Sequence, residues 1–231
     1  MKRTDFGIHA APRSWKASDA ESSPGCALFA CFPQGPRVVT RRMSFLSDAI
    51  AASAATIHGL AMMEAEVERA ATLIGEALSS GRKLLVAGNG GSAADGADFA
   101  TEFACRFSKD RAPYPALNLA ACGSLLTATG NDYGFEEVFA RGVRAFGVAG
   151  DVFVGITTSG NSPNIIAALK AASERGVRTI ALLGRDGGAA RGLADVEFIV
   201  PGTATARIQE AHKFLLHVIC ETVDERWLLK K

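Results

Sequence analysis

The chain has 231 residues, enough for one large domain, and 48% of them are hydrophobic, so a substantial core can form. Charged residues make up 21% and the formal net charge is +1, which gives no reason to expect nucleic acid as a partner. The five scattered cysteines form no CxxC pair, which favours a reducing cytoplasm over a disulfide scaffold. No apolar run approaches the roughly 18–20 residues of a membrane span, so no membrane partner is expected.

Residues 1–43 differ in composition from the rest of the chain. They hold seven Lys or Arg against three Asp or Glu, whereas the part from Ser44 onward has 18 basic and 21 acidic residues. Several Pro and Gly residues, without sustained periodicity, predict an extension that is either disordered or not made in the cell, with Met43 as the alternative start. The sequence therefore predicts one folded domain over residues 44–231.

The folded part begins with two helices, predicted over residues 44–61 and 63–80 from apolar positions at helical spacing. Short apolar segments then alternate with helical ones. The predicted strands are LLVAG, PALNLAA, DVFVGIT, TIALLG and EFIVP, and the predicted helices are 92–107, 123–128, 134–146, 162–175 and 205–229. This alternation predicts an α/β fold: a three-layer α/β/α sandwich with a five-stranded parallel sheet, preceded by the N-terminal helices.

Two polar turns follow strands of the predicted sheet, at the edge where parallel sheets bind ligands. GNGGS, Gly88–Ser92, begins a variant of the dinucleotide fingerprint, but the second strand ends in alanines and Cys122 instead of the acid that would hold a ribose. TTSGNSP, Thr157–Pro163, contains four hydroxyls, with Ser162 predicted as a helix N-cap. Hydroxyls and free N–H groups at a helix N-terminus suit a terminal phosphate, and ordinary capped turns are the alternative.

Acid–base candidates lie on two predicted helices. Asp98 and Glu102 are four residues apart and share a face in an apolar setting, although a solvated acidic stripe is the common meaning of such a pair. The last helix carries RIQEAHKFLLHVICETV, with His212 and His217. Spacing does not choose between these two histidines, nor between Gln209 and Glu210 as the partner of His217.

A series of motifs carries a resemblance to a known family. GNGGSAAD, ATEF, GNDYGFEEVFAR, GITTSGNSPNI, LLGRDGG and ARIQEAHKFLLHVIC, in this order, resemble the sugar isomerase (SIS) domain family, and within it the phosphoheptose isomerase branch. The resemblance covers about residues 44–229 and implies the flavodoxin-like SIS fold. Any one motif alone is weak, whereas the ordered series is specific.

The resemblance implies conversion of sedoheptulose 7-phosphate to D-glycero-D-manno-heptose 7-phosphate, a step toward heptose in lipopolysaccharide and related surface glycans. The reaction moves a proton between C1 and C2 through an enediol, and the resemblance implies Glu102 as the base and His217 as its acid partner. The residues implied to bind the substrate are Asn89, Gly90, Gly91, Ser92, Asp132, Thr157, Thr158, Ser159, Ser162 and Gln209. A cytoplasmic homotetramer with sites shared between subunits is also implied.

Several members of the family bind zinc through a His, a Glu, a Gln and a second His. The resemblance therefore implies one zinc per subunit, with Asp98, Glu102, Gln209 and His217 as its ligands. Asp98 stands where the family usually has histidine, and its shorter, charged side chain changes the reach and the charge of the ligand set. A different metal, no metal, or a shifted substrate are the alternatives.

Two other function classes compete with the phosphoheptose isomerase hypothesis. One is a non-catalytic SIS module that binds a phosphosugar or a protein, and the other is an isomerase of a different sugar phosphate. Loss of the acid–base pair would favour the non-catalytic module, and this sequence retains Glu102 and His217. The retained pair therefore favours an enzyme.

Overall fold

The computed structural model describes residues 44–229, so the extension predicted over residues 1–43 lies outside the described residues. The α-helices are α1 (Phe45–Gly59), α2 (Glu64–Ser79), α3 (Gly91–Ala104), α4 (Gly123–Tyr133), α5 (Val138–Phe146), α6 (Pro163–Glu174) and α7 (Thr205–Val223). The strands are β1 (Leu84–Gly88), β2 (Ala116–Asn118), β3 (Val152–Thr157), β4 (Arg178–Gly184) and β5 (Val196–Val200). The predicted alternation of strands and helices is confirmed.

The five strands form one parallel sheet in the order β2-β1-β3-β4-β5. Side chains of β1 alternate between its two faces: Leu84 and Val86 join a core with α2, α3 and α7, whereas Leu85 and Ala87 join a core with α5 and α6. Both faces are thus covered, which is why the central strands are apolar without interruption. The predicted three-layer sandwich is confirmed.

The second strand is shorter than PALNLAA predicts. It ends at Asn118, because the side chain of this residue accepts a hydrogen bond from the backbone N–H of Ala120 at 3.0 Å and donates to the carbonyl of Ala93 at 3.1 Å. The local bond with Ala120 competes with the ladder of an edge strand, and the chain continues into a 3₁₀ turn, Leu119–Ala121. The strand therefore ends beside the start of α3.

Helices α1 and α2 are joined by a 3₁₀ turn, Leu60–Met63, into one helical stretch. By length and composition alone the stretch Phe45–Ser79, with a mean hydropathy of 1.3 in its most apolar window, qualifies as a candidate membrane span. The search for uninterrupted apolar runs therefore did not predict this candidate span. Soluble helices pass the same test, and within this stretch α2 packs Ala70, Ala71 and Ile74 into the core of the sandwich.

Candidate active site

The two polar turns leave the sheet side by side. β1 and β3 are neighbours in register, with Gly88 opposite Ile156, and the strand order reverses between them. Such a reversal opens a crevice at the carboxyl edge, the usual ligand site of this architecture. The side chains of Asn89 and Asn164 exchange two hydrogen bonds, each 2.9 Å long, and so tie the first turn to the start of α6.

Three hydroxyls of the second turn converge and form what we call the hydroxyl cradle: Thr157, Ser159 and Ser162. The Thr157 hydroxyl lies 2.9 Å from that of Ser162 and 3.3 Å from that of Ser159. Ser162 is the N-cap of α6 and Pro163 is its first residue, as predicted, but the Ser162 side chain makes no capping hydrogen bond. Its hydroxyl faces the cradle instead, so the N-terminus of α6 keeps its favourable field for an anion.

The cradle is backed by the loop after β4. Gly160 has φ +68°, and a Cβ placed there would lie 2.1 Å from the carbonyl oxygen of Gly187. The carbonyl of Gly160 accepts a hydrogen bond from the N–H of Ala190 at 2.9 Å. Glycine is required at this position by conformation and by space, and the contact holds the turn rigidly.

Helices α3 and α7 run side by side, and successive turns of one face successive turns of the other. Gln209 donates from Nε2 to Asp95 Oδ2 at 3.0 Å, and its carboxamide lies so close to Gly91 that a Cβ there would be 2.4 Å from Nε2. One turn further along, Lys213 pairs with Asp98. The predicted site residues on these two helices are far apart in sequence. They are brought together along the line of contact between α3 and α7, which we call the seam.

Glu102 on α3 and His217 on α7 lie one turn further along the same seam. Burial raises the pKa of the half-buried Glu102 carboxyl above its usual value, and the negative charge of Asp98 adds to this rise. The positive charges of His217, Lys213 and Arg111 act in the opposite direction. A carboxylate with a raised pKa is a stronger base than a solvated one, and the neighbouring histidine provides a second group for proton transfer.

On α7 the structure distinguishes His212 from His217 and Gln209 from Glu210, which spacing alone did not. His212 is fully buried and donates from Nε2 to the carbonyl of Leu183 at 3.1 Å, whereas His217 is half-buried, with its ring 5.9 Å from that of Phe107. Gln209 faces α3, and Glu210 instead pairs with Arg207. His212 is therefore a core histidine, and only His217 lies on the seam.

The buried His212 makes acid stability a testable property. Burial lowers its pKa from 6.5 to about 4, so below pH 6.5 the unfolded chain binds a proton that the native protein does not accept until about pH 4. The native state should therefore lose about 3 kcal/mol of unfolding free energy as the pH falls from 6.5 to 4. Urea unfolding across this range would measure the loss. In a His212→Leu variant the unfolding free energy should lose this dependence on pH. A variant whose pH dependence equals that of the wild type would contradict the assignment of the low pKa to His212.

Other predicted residues are placed differently. Ser92 is buried in the first turn of α3, and Thr158 packs its carbonyl against Gly184. Asp132 is exposed on α4, where it accepts a hydrogen bond from Asn131, and within residues 44–229 no hydrogen bond or ion pair links it to the hydroxyl cradle. The residues that sequence reasoning missed are Asp95, Arg111, Asn164 and Lys213; Asp95, three residues before Asp98, and Lys213, midway between Gln209 and His217, have spacings that could have revealed them.

The implied zinc ligands do not form the four-ligand set of the resemblance as they stand. The Asp98 carboxylate is paired with the Lys213 ammonium, and the Gln209 amide is bonded to Asp95. Gln209 keeps its Oε1 as a lone-pair donor, so Glu102, Gln209 and His217 remain available, next to the ammonium that holds Asp98. Among the described residues, no group of three or more His, Cys, Asp and Glu side chains is placed to hold a metal ion.

Comparison with known proteins agrees with this architecture. The SIS domain family matches residues 49–184. The phosphoheptose isomerase of Geobacter sp. (strain M21) is 51% identical over 164 residues, which are 71% of this chain and 85% of the relative. The structure of phosphoheptose isomerase GmhA from Neisseria gonorrhoeae superposes with a TM-score of 0.74 at 43% identity, covering 78% of this chain and 97% of that one.

A second solved structure, a phosphoheptose isomerase from Francisella tularensis, gives a TM-score of 0.72 at 34% identity and covers 79% of this chain and 95% of that one. Identity at this level over most of both chains shows descent and not only a shared fold. The chain therefore belongs to the SIS domain family and, within it, to the phosphoheptose isomerases.

Proposed function

We propose that the protein is an aldose–ketose isomerase that converts sedoheptulose 7-phosphate to D-glycero-D-manno-heptose 7-phosphate. The observation that carries the proposal is the seam between α3 and α7, where Glu102, with its raised pKa, lies beside His217. The names of the relatives support the substrate. The product would supply heptose for lipopolysaccharide and related surface glycans.

The reaction needs one group that moves a carbon-bound proton and one that moves a hydroxyl proton. We assign the first role to Glu102, because a carboxylate whose pKa is raised by burial is a stronger base than a solvated one. We assign the second to His217, because its half-buried imidazole lies beside Glu102 and has ring nitrogens that can donate and accept hydrogen bonds. A non-catalytic module would have no need of this pair.

The phosphate end of the substrate is assigned to the hydroxyl cradle. Next to it lies an open pocket of about 410 Å³, lined by residues of three segments: Asn89, Gly134, Phe135, Glu136, Ser162, Pro163 and Asn164. Hydroxyl donors and the N-terminus of α6 would hold a phosphate without a lysine. We assign the sugar hydroxyls to the polar groups between this pocket and the seam, including Asn89 and Gln209.

Removing one cradle hydroxyl tests the phosphate assignment. Ser162→Ala should raise KM for sedoheptulose 7-phosphate by about 10-fold or more with little change in kcat, because a hydrogen bond to a charged group is worth about 1.5–3 kcal/mol. The inhibition constant of inorganic phosphate should rise in parallel. Ser173→Ala, at an exposed position near the end of α6, is the matched control. A raised KM with unchanged phosphate inhibition would refute the role of the Ser162 hydroxyl.

We also propose that the protein assembles with copies of itself, as a homotetramer. Phe45, Leu46 and Ile50 are exposed on α1, with 92%, 67% and 59% of their surfaces accessible, and an apolar groove of about 530 Å³ lies between the N-terminal helices and α7. Apolar surface of this kind is usually covered by another chain. Light scattering on the purified protein would measure the assembly.

A cytoplasmic location is proposed on the state of the thiols. Cys105, Cys122 and Cys220 are all free in the described part of the chain, and a reducing compartment maintains cysteines in this form.

The experiment that tests the proposed function is a turnover assay on a panel of sugars. The protein should convert sedoheptulose 7-phosphate faster than six-carbon ketose phosphates, and unphosphorylated sedoheptulose should be a poor substrate. Turnover of a six-carbon ketose phosphate in preference to the heptulose would show that the six-carbon sugar is the substrate. No turnover of any sugar in the panel would favour the non-catalytic module.

A further inference from the structure

Lys213 lies at the centre of the four side chains that family resemblance assigns to zinc. On α7 it follows Gln209 by four residues and precedes His217 by four, so the three side chains share one face of the helix. Across the seam its ammonium pairs with Asp98, which is one turn before Glu102 on α3. A positive charge is therefore already paired with one of the four side chains implied to bind zinc.

The ion pair between Lys213 and Asp98 is too exposed to contribute much to folding, but it is accessible to a substrate. The Lys213 side chain is 29% exposed and that of Asp98 is 50% exposed, and ion pairs at such positions contribute little to folding. Lys213 also lines an open pocket of about 450 Å³ together with Asp95 and Gln209. The ammonium is thus both held in place by a carboxylate and accessible to a small molecule.

A lysine at this position opposes a metal in two ways. Its ammonium has three donors and no lone pair, so it occupies the Asp98 carboxylate without offering a ligand in return. Its charge also repels a second cation nearby. The remaining lone-pair donors are Glu102, the Oε1 of Gln209 and His217, one fewer than the four that the family resemblance assigns, and the ammonium lies beside them.

We propose that Lys213 takes the place of the metal: held by Asp98, its ammonium is the resident cation of the site and binds the substrate oxygen that becomes negative during proton transfer. The proposal rests on the isomerase function proposed above. When the C–H proton at C1 passes to Glu102, the electron pair of that bond forms the C1=C2 double bond and the carbonyl pair moves onto the C2 oxygen. The ammonium donates a hydrogen bond to this oxyanion.

The remaining transfers complete the isomerisation without a co-reactant. The oxyanion at C2 accepts a proton from His217, and His217 recovers one from the C1 hydroxyl as the C1 carbonyl forms. Glu102 returns its proton to C2. Protons and electrons therefore balance with only Glu102, His217 and Lys213 as participants, and no metal is required to stabilise the charge.

The first test measures metal and needs no substrate. The wild-type protein, incubated with excess zinc and then dialysed, should hold well below one zinc per subunit by elemental analysis. Lys213→Met leaves Asp98 and Glu102 without the ammonium, so its zinc affinity by calorimetry should rise about 10-fold or more. A full zinc complement in the wild-type protein would overturn the proposal, even if the isomerase function is correct.

The second test measures turnover with a chelator present. Lys213→Met should lower kcat about 100-fold with a smaller change in KM, the cost of removing one oxyanion donor, and Lys213→Arg should restore part of kcat because it keeps the charge. Lys170→Met, at an exposed position on α6, is the control for the substitution. An unchanged kcat in a folded Lys213→Met protein would overturn the proposal. If the wild-type protein turns over no sugar phosphate, the isomerase function fails, and the zinc measurement still decides the metal-excluding role of Lys213.

Discussion

Replacing Glu102 with glutamine should lower kcat for isomerisation by about 10³-fold, within the range that a positioned general base contributes. Glutamine keeps the size and hydrogen-bonding outline of the side chain but has no basic oxygen for a carbon-bound proton. KM should change much less, because the phosphate is assigned to the hydroxyl cradle, on a different part of the site. Steady-state kinetics on the purified variant would measure both parameters.

The pH dependence of kcat/KM adds an independent readout of the same residue. Glu102 must be unprotonated to act as the base, so activity falls as the pH drops through its pKa. Burial and Asp98 raise this pKa, which moves the acidic limb above the usual range of a glutamate. Glu174→Gln, at the exposed end of α6, should leave both the rate and the limb unchanged. Activity of the Glu102→Gln variant close to that of the wild type would reject Glu102 as the base.

Replacing Arg111 with methionine should destabilise the fold by about 3–5 kcal/mol, the cost of leaving a buried charge without its partner. Arg111 donates from Nε to Asp224 Oδ1 at 2.7 Å, and these side chains are only 3% and 1% exposed. Its other nitrogens donate to the carbonyls of Glu102, at 2.7 Å, and of Phe103, at 3.0 Å. Arg111 thus satisfies the last turn of α3, the turn that carries the proposed base.

Urea unfolding of the Arg111→Met variant would measure the loss. Asp224 already has one oxygen, Oδ2, without a partner in the described part of the chain, so removing Arg111 leaves the carboxylate wholly uncompensated. Adding Asp224→Asn to the variant should therefore recover part of the loss. Arg144→Met breaks an exposed pair with Glu137 and should cost no more than about 1 kcal/mol. Equal losses in the Arg111 and Arg144 variants would show that burial of the Arg111 pair is unimportant.

The elements of the sheet could be predicted because each follows from a local pattern. LLVAG and DVFVGIT are apolar without interruption since both faces of the sheet are covered, and Ser162-Pro163 starts α6 as the cap pattern indicates. Boundaries were less predictable where a side chain intervenes. The second strand ends early at Asn118, and α3 ends at Ala104 instead of 107, beside carbonyls that Arg111 satisfies.

The seam between α3 and α7 could not be predicted from periodicity, because no local pattern says which helix packs beside which. Asp98 and Lys213 are 115 residues apart in the chain and still form an ion pair. The resemblance to a family indicated Asp98, Glu102, Gln209 and His217 as site residues. It did not indicate Lys213, whose place in the site is seen only from its ion pair with Asp98. The departure from the family pattern at Asp98 acquires a physical meaning only when its partner is seen.

The most direct measurement of the central claim is ¹H NMR of sedoheptulose 7-phosphate incubated with the purified protein in D₂O, with a chelator present. Proton transfer through an enediol should produce the aldose C1–H signal and should exchange a C1 proton of the ketose for solvent deuterium, and Glu102→Gln should abolish both changes. Aldose formation and deuterium uptake that persist in Glu102→Gln would contradict the assignment of Glu102 as the base. A spectrum that stays unchanged, with or without added metal ions, would contradict the isomerase function itself.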